Sequence, residues 1–124
     1  MILADTSIWV DHFRSGDNRL KELLDKGQVL VHPFIVGELA CGNLKNREHV
    51  LSLLSRLPCC VRAEDDEVLE FIGKRALFGR GIGYIDAHLL ASTVLTPDAF
   101  LWTADKGLLK IAEEMGVGES CDSE

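Results

Sequence analysis

What most constrains the fold of this 124-residue chain is where its short apolar runs stop. Ile2-Leu3-Ala4 ends directly at Asp5, and a run over residues 99–103 ends two positions before Asp105. Val29-Leu30-Val31 is a third such run. Runs this short, without clean alternation of apolar and polar residues, read as strands buried on both faces. Helical patterns lie between them, so the expected class is α/β: a three-layer α/β/α sandwich around a central parallel sheet of four or five strands. Ligands of such sheets bind beyond the carboxyl ends of the strands. Asp5 and Asp105 both fall there.

Between the runs, Ile8, Trp9 and Phe13 recur at helical spacing after Asp5-Thr6-Ser7, and residues 19–26 form a second helical stretch that stops at Gly27. Pro33 suits the first turn of a helix that carries Glu38. Residues 46–55 are helical in pattern, and residues 57–61 read as an extended segment interrupted by Pro58. Asp65, Asp66 and Glu67 put negative charge at the start of the next helix, where it favours the dipole, and the apolar stripe runs from Val68 to Ala76. Tyr84–Leu95 carries Asp86 in its first turn, and Asp105 opens a last helix to Met115. The polar stretch 116–124 leaves a fifth strand in doubt.

Size and composition narrow the class of protein. The chain is near the commonest domain length, with 47% hydrophobic and 27% charged residues and no internal repeat, so residues 1–124 are expected to form one globular domain. The N-terminus has no basic leader, and no uncharged stretch approaches ~20 residues, so neither a signal peptide nor a membrane span is expected. Cys41, Cys59, Cys60 and Cys121 include an adjacent pair in a chain rich enough in core residues to need no disulfide, which fits the cytoplasm. The net charge of -7 argues at first sight against a nucleic-acid partner. A carboxylate cluster built to hold a cation would itself supply several of those charges.

Taken singly, each acid has an ordinary explanation: Asp5 and Asp105 as helix caps, Asp86 as a dipole partner, Glu38 as a solvated helix residue. Taken together, acids delivered to one sheet edge repel unless a cation sits between them or one stays protonated. Oxygen-only ligands select a hard cation such as Mg²⁺ or Mn²⁺.

In order along the chain stand Ala4-Asp5-Thr6-Ser7, Gly37-Glu38-Leu39, Asp86-Ala87-His88 followed by Leu89-Leu90-Ala91, and Thr103-Ala104-Asp105. This series, spread over nearly the whole chain, resembles the PIN-domain nucleases, and in particular the VapC toxins of type II toxin-antitoxin pairs. The resemblance implies a metal-dependent endoribonuclease that hydrolyses RNA with a metal-activated water, a cognate VapB-like antitoxin and a homodimer. It implies Asp5 and Asp86 as direct ligands of one or two Mg²⁺ or Mn²⁺ ions, with Asp105 and Glu38 completing the cluster directly or through water. Thr6, Ser7 and Thr103 match small hydroxyl residues that orient carboxylates or water, or else are plain caps. Either Glu38 or Asp105 is placed to act as base. The alternatives within the same fold are a housekeeping RNA-processing or DNA-associated role and a non-catalytic binding module.

Other signals point elsewhere less well. A dehalogenase-like phosphatase requires a second aspartate two positions after the first, where this chain has Ser7. A receiver domain requires a phosphoacceptor aspartate after a central strand, where Pro58-Cys59-Cys60-Val61-Arg62 offers none. Gly79-Arg80-Gly81-Ile82-Gly83 lacks the Gly-Lys-Ser/Thr ending of a phosphate loop and reads as a flexible connection. His12, His32, His49 and His88 share no ligand spacing with the cysteines, so zinc is not expected. His88, two positions from Asp86, lies off its helix face and is assigned a structural role. Lys45, Arg47, Lys74, Arg75 and Arg80 are either solvated charge or part of an RNA-binding rim.

Overall fold

Asp5, Asp17, His32 and Asp105 each cap the helix that follows them, and this repeated junction sets the path of the chain. The computed structural model describes residues 1–119. Strand β1 (Ile2–Ala4) leads into α1 (Thr6–Ser15), where Asp5 Oδ1 accepts the backbone N–H groups of Ser7 at 3.0 Å and Ile8 at 3.3 Å. Helix α2 (Asn18–Asp25) is followed by Gly27, whose φ of +68° turns the chain into β2 (Val29–Leu30). Pro33 begins α3 (Pro33–Ala40), a position where the N–H it lacks has no intrahelical partner anyway. Then come α4 (Arg47–Ser55), α5 (Asp65–Lys74), α6 (Tyr84–Leu95), β3 (Phe100–Trp102), α7 (Lys106–Glu114) and β4 (Gly118–Glu119).

The strands pair in parallel in the order β2-β1-β3-β4, with Leu3 opposite both Leu30 and Leu101. All three leucines are buried in one core with Trp9, Trp102, Leu89, Leu90 and Leu108. Burying a side chain of this size contributes about 1.5–3 kcal/mol, so the apolar runs anchor the strand ends firmly. A smaller cluster of Ala63, Val68, Ala87 and Ala91 ties α5 to α6. The architecture is the expected α/β sandwich, with four strands and seven helices among the described residues.

Two segments decide the number of strands. Residues 57–61 make only one bridge to the sheet, Val31 to Cys59. Val31 N–H reaches Pro58 O at 2.9 Å and Cys60 N–H reaches Val31 O at 3.0 Å, but Pro58 has no N–H to give. Beyond it, Val61 N–H donates to Thr96 Oγ1 and Ala63 N–H to Ser92 Oγ, so side chains at and just beyond the end of α6 take the donors a strand would use. The polar C-terminal end, in contrast, does pair. Gly118 and Glu119 lie beside Leu101 and Trp102, and Arg19 reaches across to form an ion pair with Glu119. Residues 120–124, Cys121 among them, lie outside the described part of the chain.

Strand β4 is held by close approach rather than by apolar side chains. A Cβ on Gly118 would lie 2.7 Å from Glu113 Cγ and 2.8 Å from the Glu113 backbone nitrogen. Gly118→Ala is therefore expected to displace β4 and destabilise the protein by about 1–3 kcal/mol, the usual cost of overpacking. Chemical denaturation checks this, and an unchanged midpoint would remove the close-packing account.

Candidate active site

The ends of β1 and β3 lie side by side, Asp5 N–H extending the ladder by donating to Trp102 O at 3.0 Å, and each strand leads to an acid, Asp5 and Asp105. Asp5 is 7% exposed and Asp105 caps α7, its Oδ1 accepting from Leu108 N–H at 3.1 Å. Asp86 comes from the first turn of α6, where Oδ2 accepts the Gly83 N–H at 3.2 Å. Glu38 comes from α3 and is fixed by Thr6, whose hydroxyl donates to Oε1 at 2.5 Å.

The hydroxyls assigned from sequence divide in what they do. Ser7 Oγ donates to Asp5 Oδ1 at 2.5 Å and accepts from Ala104 N–H at 3.1 Å, so it links α1 to the loop after β3. Thr103 Oγ1 accepts from Asp105 N–H at 3.1 Å, the geometry of a local turn. Each of the four acids thus has one oxygen engaged in local structure. The other oxygen makes no hydrogen bond among the described residues.

The four charges are neighbours. Burial pushes the Asp86 carboxyl above its ordinary value, against the opposing Gly83 hydrogen bond, and Asp105, Asp5 and Glu38 all push it further the same way. No Lys, Arg or His forms an ion pair with any of the four among the described residues. Nor is any set of three or more His, Cys, Asp or Glu side chains among them closed into a metal-binding group. Three carboxylates acting on Asp86, each of the four with an oxygen to offer, are of the ligand chemistry that suits a hard cation keeping part of its water shell.

A family model described as PIN domain matches residues 2–114. The chain belongs to the PIN-domain family. It is also 47% identical over 117 residues to the protein named Ribonuclease VapC32 in two strains of Mycobacterium tuberculosis, CDC 1551 / Oshkosh and ATCC 25618 / H37Rv, covering 94% of this chain and 94% of each relative. The four acids of this PIN domain all lie inside the matched span.

Of the basic residues considered for a rim, Lys45 lines a groove beside Glu38, together with Arg14, which the sequence did not single out. Arg80 instead forms a two-pronged pair with Glu114, at 2.9 and 3.0 Å, that braces the glycine-rich connection. Arg47 donates to Ala40 O, Lys74 pairs with Glu70 and Arg75 lies over the Phe71 ring. No helix among the described residues is long and apolar enough to cross a membrane.

A carboxyl whose folded pKa is raised binds its proton more tightly in the native state. Stability is then lost as pH rises from the ordinary carboxylate value through the raised one. In metal-free buffer at neutral pH, Asp86→Asn should melt a few degrees higher than the wild type, and the gain should vanish below about pH 4, where both forms are neutral. Melting curves across pH measure this, and a gain independent of pH would contradict the repulsion.

Proposed function

We propose that residues 1–124 act as a single nuclease domain, a divalent-metal-dependent endoribonuclease that is the toxin of a type II toxin-antitoxin pair. The observation that carries the reading is that Asp86 senses the charges of Asp105, Asp5 and Glu38, with no cationic side chain paired to any of the four among the described residues. The 47% identity to a protein named Ribonuclease VapC32 supplies the substrate class.

Asp5 and Asp86 are the direct ligands of Mg²⁺ or Mn²⁺ in this reading, with Asp105 and Glu38 acting directly or through water. The chemistry such an ion supplies is neutralisation of charge on the phosphodiester and a lowered pKa for an attacking water. The chain's own part is orientation. Ser7 and the α1 backbone hold one Asp5 oxygen, Gly83 holds one Asp86 oxygen, and Thr6 holds one Glu38 oxygen, which leaves the second oxygen of each for the ion. Glu38 or Asp105 receives the proton that the water gives up.

The antitoxin belongs in the groove of about 760 Å³ next to Glu38, whose walls include Val10, Phe13, Leu39 and Leu44. An amphipathic segment with its apolar face in this groove would carry an Arg or Lys to the carboxylates and compete with the metal for them. The toxin reading also places a homodimer in the cytoplasm, where RNA and antitoxin are present.

Asp5→Asn and Asp86→Asn should each lower RNA cleavage on the order of 100-fold or more, the scale set by losing one electrostatic partner of the transition state. EDTA should abolish cleavage, and Mg²⁺ or Mn²⁺ should restore it. The products should carry 5′-phosphate and 3′-hydroxyl ends, read by mass spectrometry, because water rather than the RNA 2′-hydroxyl attacks. Full activity in EDTA, or a 2′,3′-cyclic phosphate, would refute the mechanism.

A further inference from the structure

Asp86 follows a connection that its own backbone does little to hold. After α5 the chain runs from Leu77, buried in the core, to Gly83, the N-cap of α6. Between them Gly79 and Gly81 stand at φ of +73° and +84°, and no backbone N–H or C=O of residues 78–82 bonds to another backbone group among the described residues. Phe78 is exposed, while Ile82 packs partly against the core. A glycine-rich segment without ladder or helix bonds opens easily.

The start of α6 cannot make up for this. In a capping box the N-cap side chain and the side chain of the third helical residue each bond to the other's backbone N–H. Gly83 has no side chain, so only one half is present, the 3.2 Å bond from Gly83 N–H to Asp86 Oδ2. That bond fixes the Asp86 carboxylate only as well as Gly83 itself is fixed. Arg80, three residues earlier, supplies a tie. Its Nη1 and Nη2 donate to Oε1 and Oε2 of Glu114 at 2.9 and 3.0 Å, a fork that sets orientation as well as distance. Glu114 is the last residue of α7, the helix that Asp105 caps at its other end. The pair therefore joins the segment leading to Asp86 to the helix that follows Asp105. It does so without touching the acids: α7 separates Glu114 from Asp105 by ~13 Å along its axis, and Arg80 is not among the charges that act on Asp86.

We infer that Arg80 and Glu114 are positioning residues for the cation site: their pair fixes the 79–83 connection, and through Gly83 it holds Asp86 Oδ2, which leaves Oδ1 for the ion. The inference rests on the metal-dependent reading above. Both side chains of the pair are partly exposed, and an ion pair of that kind contributes little to overall stability. Its loss should therefore show at the site and not in the fold.

The test is a double-mutant cycle of Arg80→Ala, Glu114→Ala and both together, with two readouts at the site. Electron paramagnetic resonance of free Mn²⁺ gives the dissociation constant of the ion, and amide hydrogen exchange of the metal-free protein, followed by NMR, gives the protection of the Gly83 N–H. Each single variant should weaken Mn²⁺ binding ~10-fold, the low end for removing a group that orients a metal ligand. The Gly83 amide should exchange faster in each. The double variant should be no worse than either single one, because the first removal already breaks the pair, and all three should melt close to the wild type. Mn²⁺ affinity unchanged in either single variant overturns the inference, because the pair is then a structural brace alone. Losses that multiply in the double variant, or a Gly83 amide that exchanges at the wild-type rate in both single variants, overturn it as well. Wild-type protein that takes up no Mn²⁺ overturns the metal reading instead, while faster Gly83 exchange in the variants still supports the tie from Arg80 to Gly83.

Discussion

Repulsion among Asp5, Glu38, Asp86 and Asp105 is the interaction on which the rest of the molecule depends. Like charges push apart, and the Asp86 carboxyl, raised first by burial, is pushed further the same way by Asp105, Asp5 and Glu38. The fold resists it from beneath, through Leu3, Leu101 and Trp102 packed in the core directly below the strand ends. Around the acids, each is also tethered locally: Asp5 by Ser7 and the first turn of α1, Asp86 by Gly83, Glu38 by Thr6, and Asp105 by the first turn of α7. The tethers use one oxygen of each acid and leave the other without a hydrogen bond among the described residues, the arrangement that the proposed cation site requires.

Ordinary helix caps and a metal site are therefore not competing explanations of the same residues. Asp5 and Asp105 cap α1 and α7 with Oδ1, as any N-cap aspartate does, and that bond leaves Oδ2 without a hydrogen bond among the described residues. The structural and chemical roles share a carboxylate. A substitution to Asn can keep much of the cap while removing the charge, so fold and function are separable at these positions.

Much of this was readable in the sequence because it depends on local signals. Ile2-Leu3-Ala4 before Asp5 and Phe100-Leu101-Trp102 before Asp105 announce buried strands that end in acids, and α6 begins at Tyr84 with Asp86 in its first turn. What was not readable depends on contacts between distant segments. Gly118 and Glu119 have no strand pattern, and they pair because the chain turns tightly past Glu113 and Arg19 reaches Glu119. Residues 57–61 read as extended but make a single bridge, and the Val61 N–H goes to Thr96 Oγ1, thirty-five residues away. His32 and His88 were read only as sharing no ligand spacing with the cysteines, and His88 as structural, since nothing in a spacing of fifty-six positions shows that their rings meet. Thr6 gave no sign from sequence whether it holds Glu38 or caps a helix.

The central claim is that the acids form one cation site, and direct binding of Mn²⁺ tests it without relying on an RNA substrate. Electron paramagnetic resonance of free Mn²⁺, titrated with the protein at neutral pH, should show saturable uptake of one or two ions per chain. That uptake should be lost or greatly weakened in both Asp5→Asn and Asp86→Asn. Uptake that is absent in the wild type, or unchanged in both variants, would contradict the account.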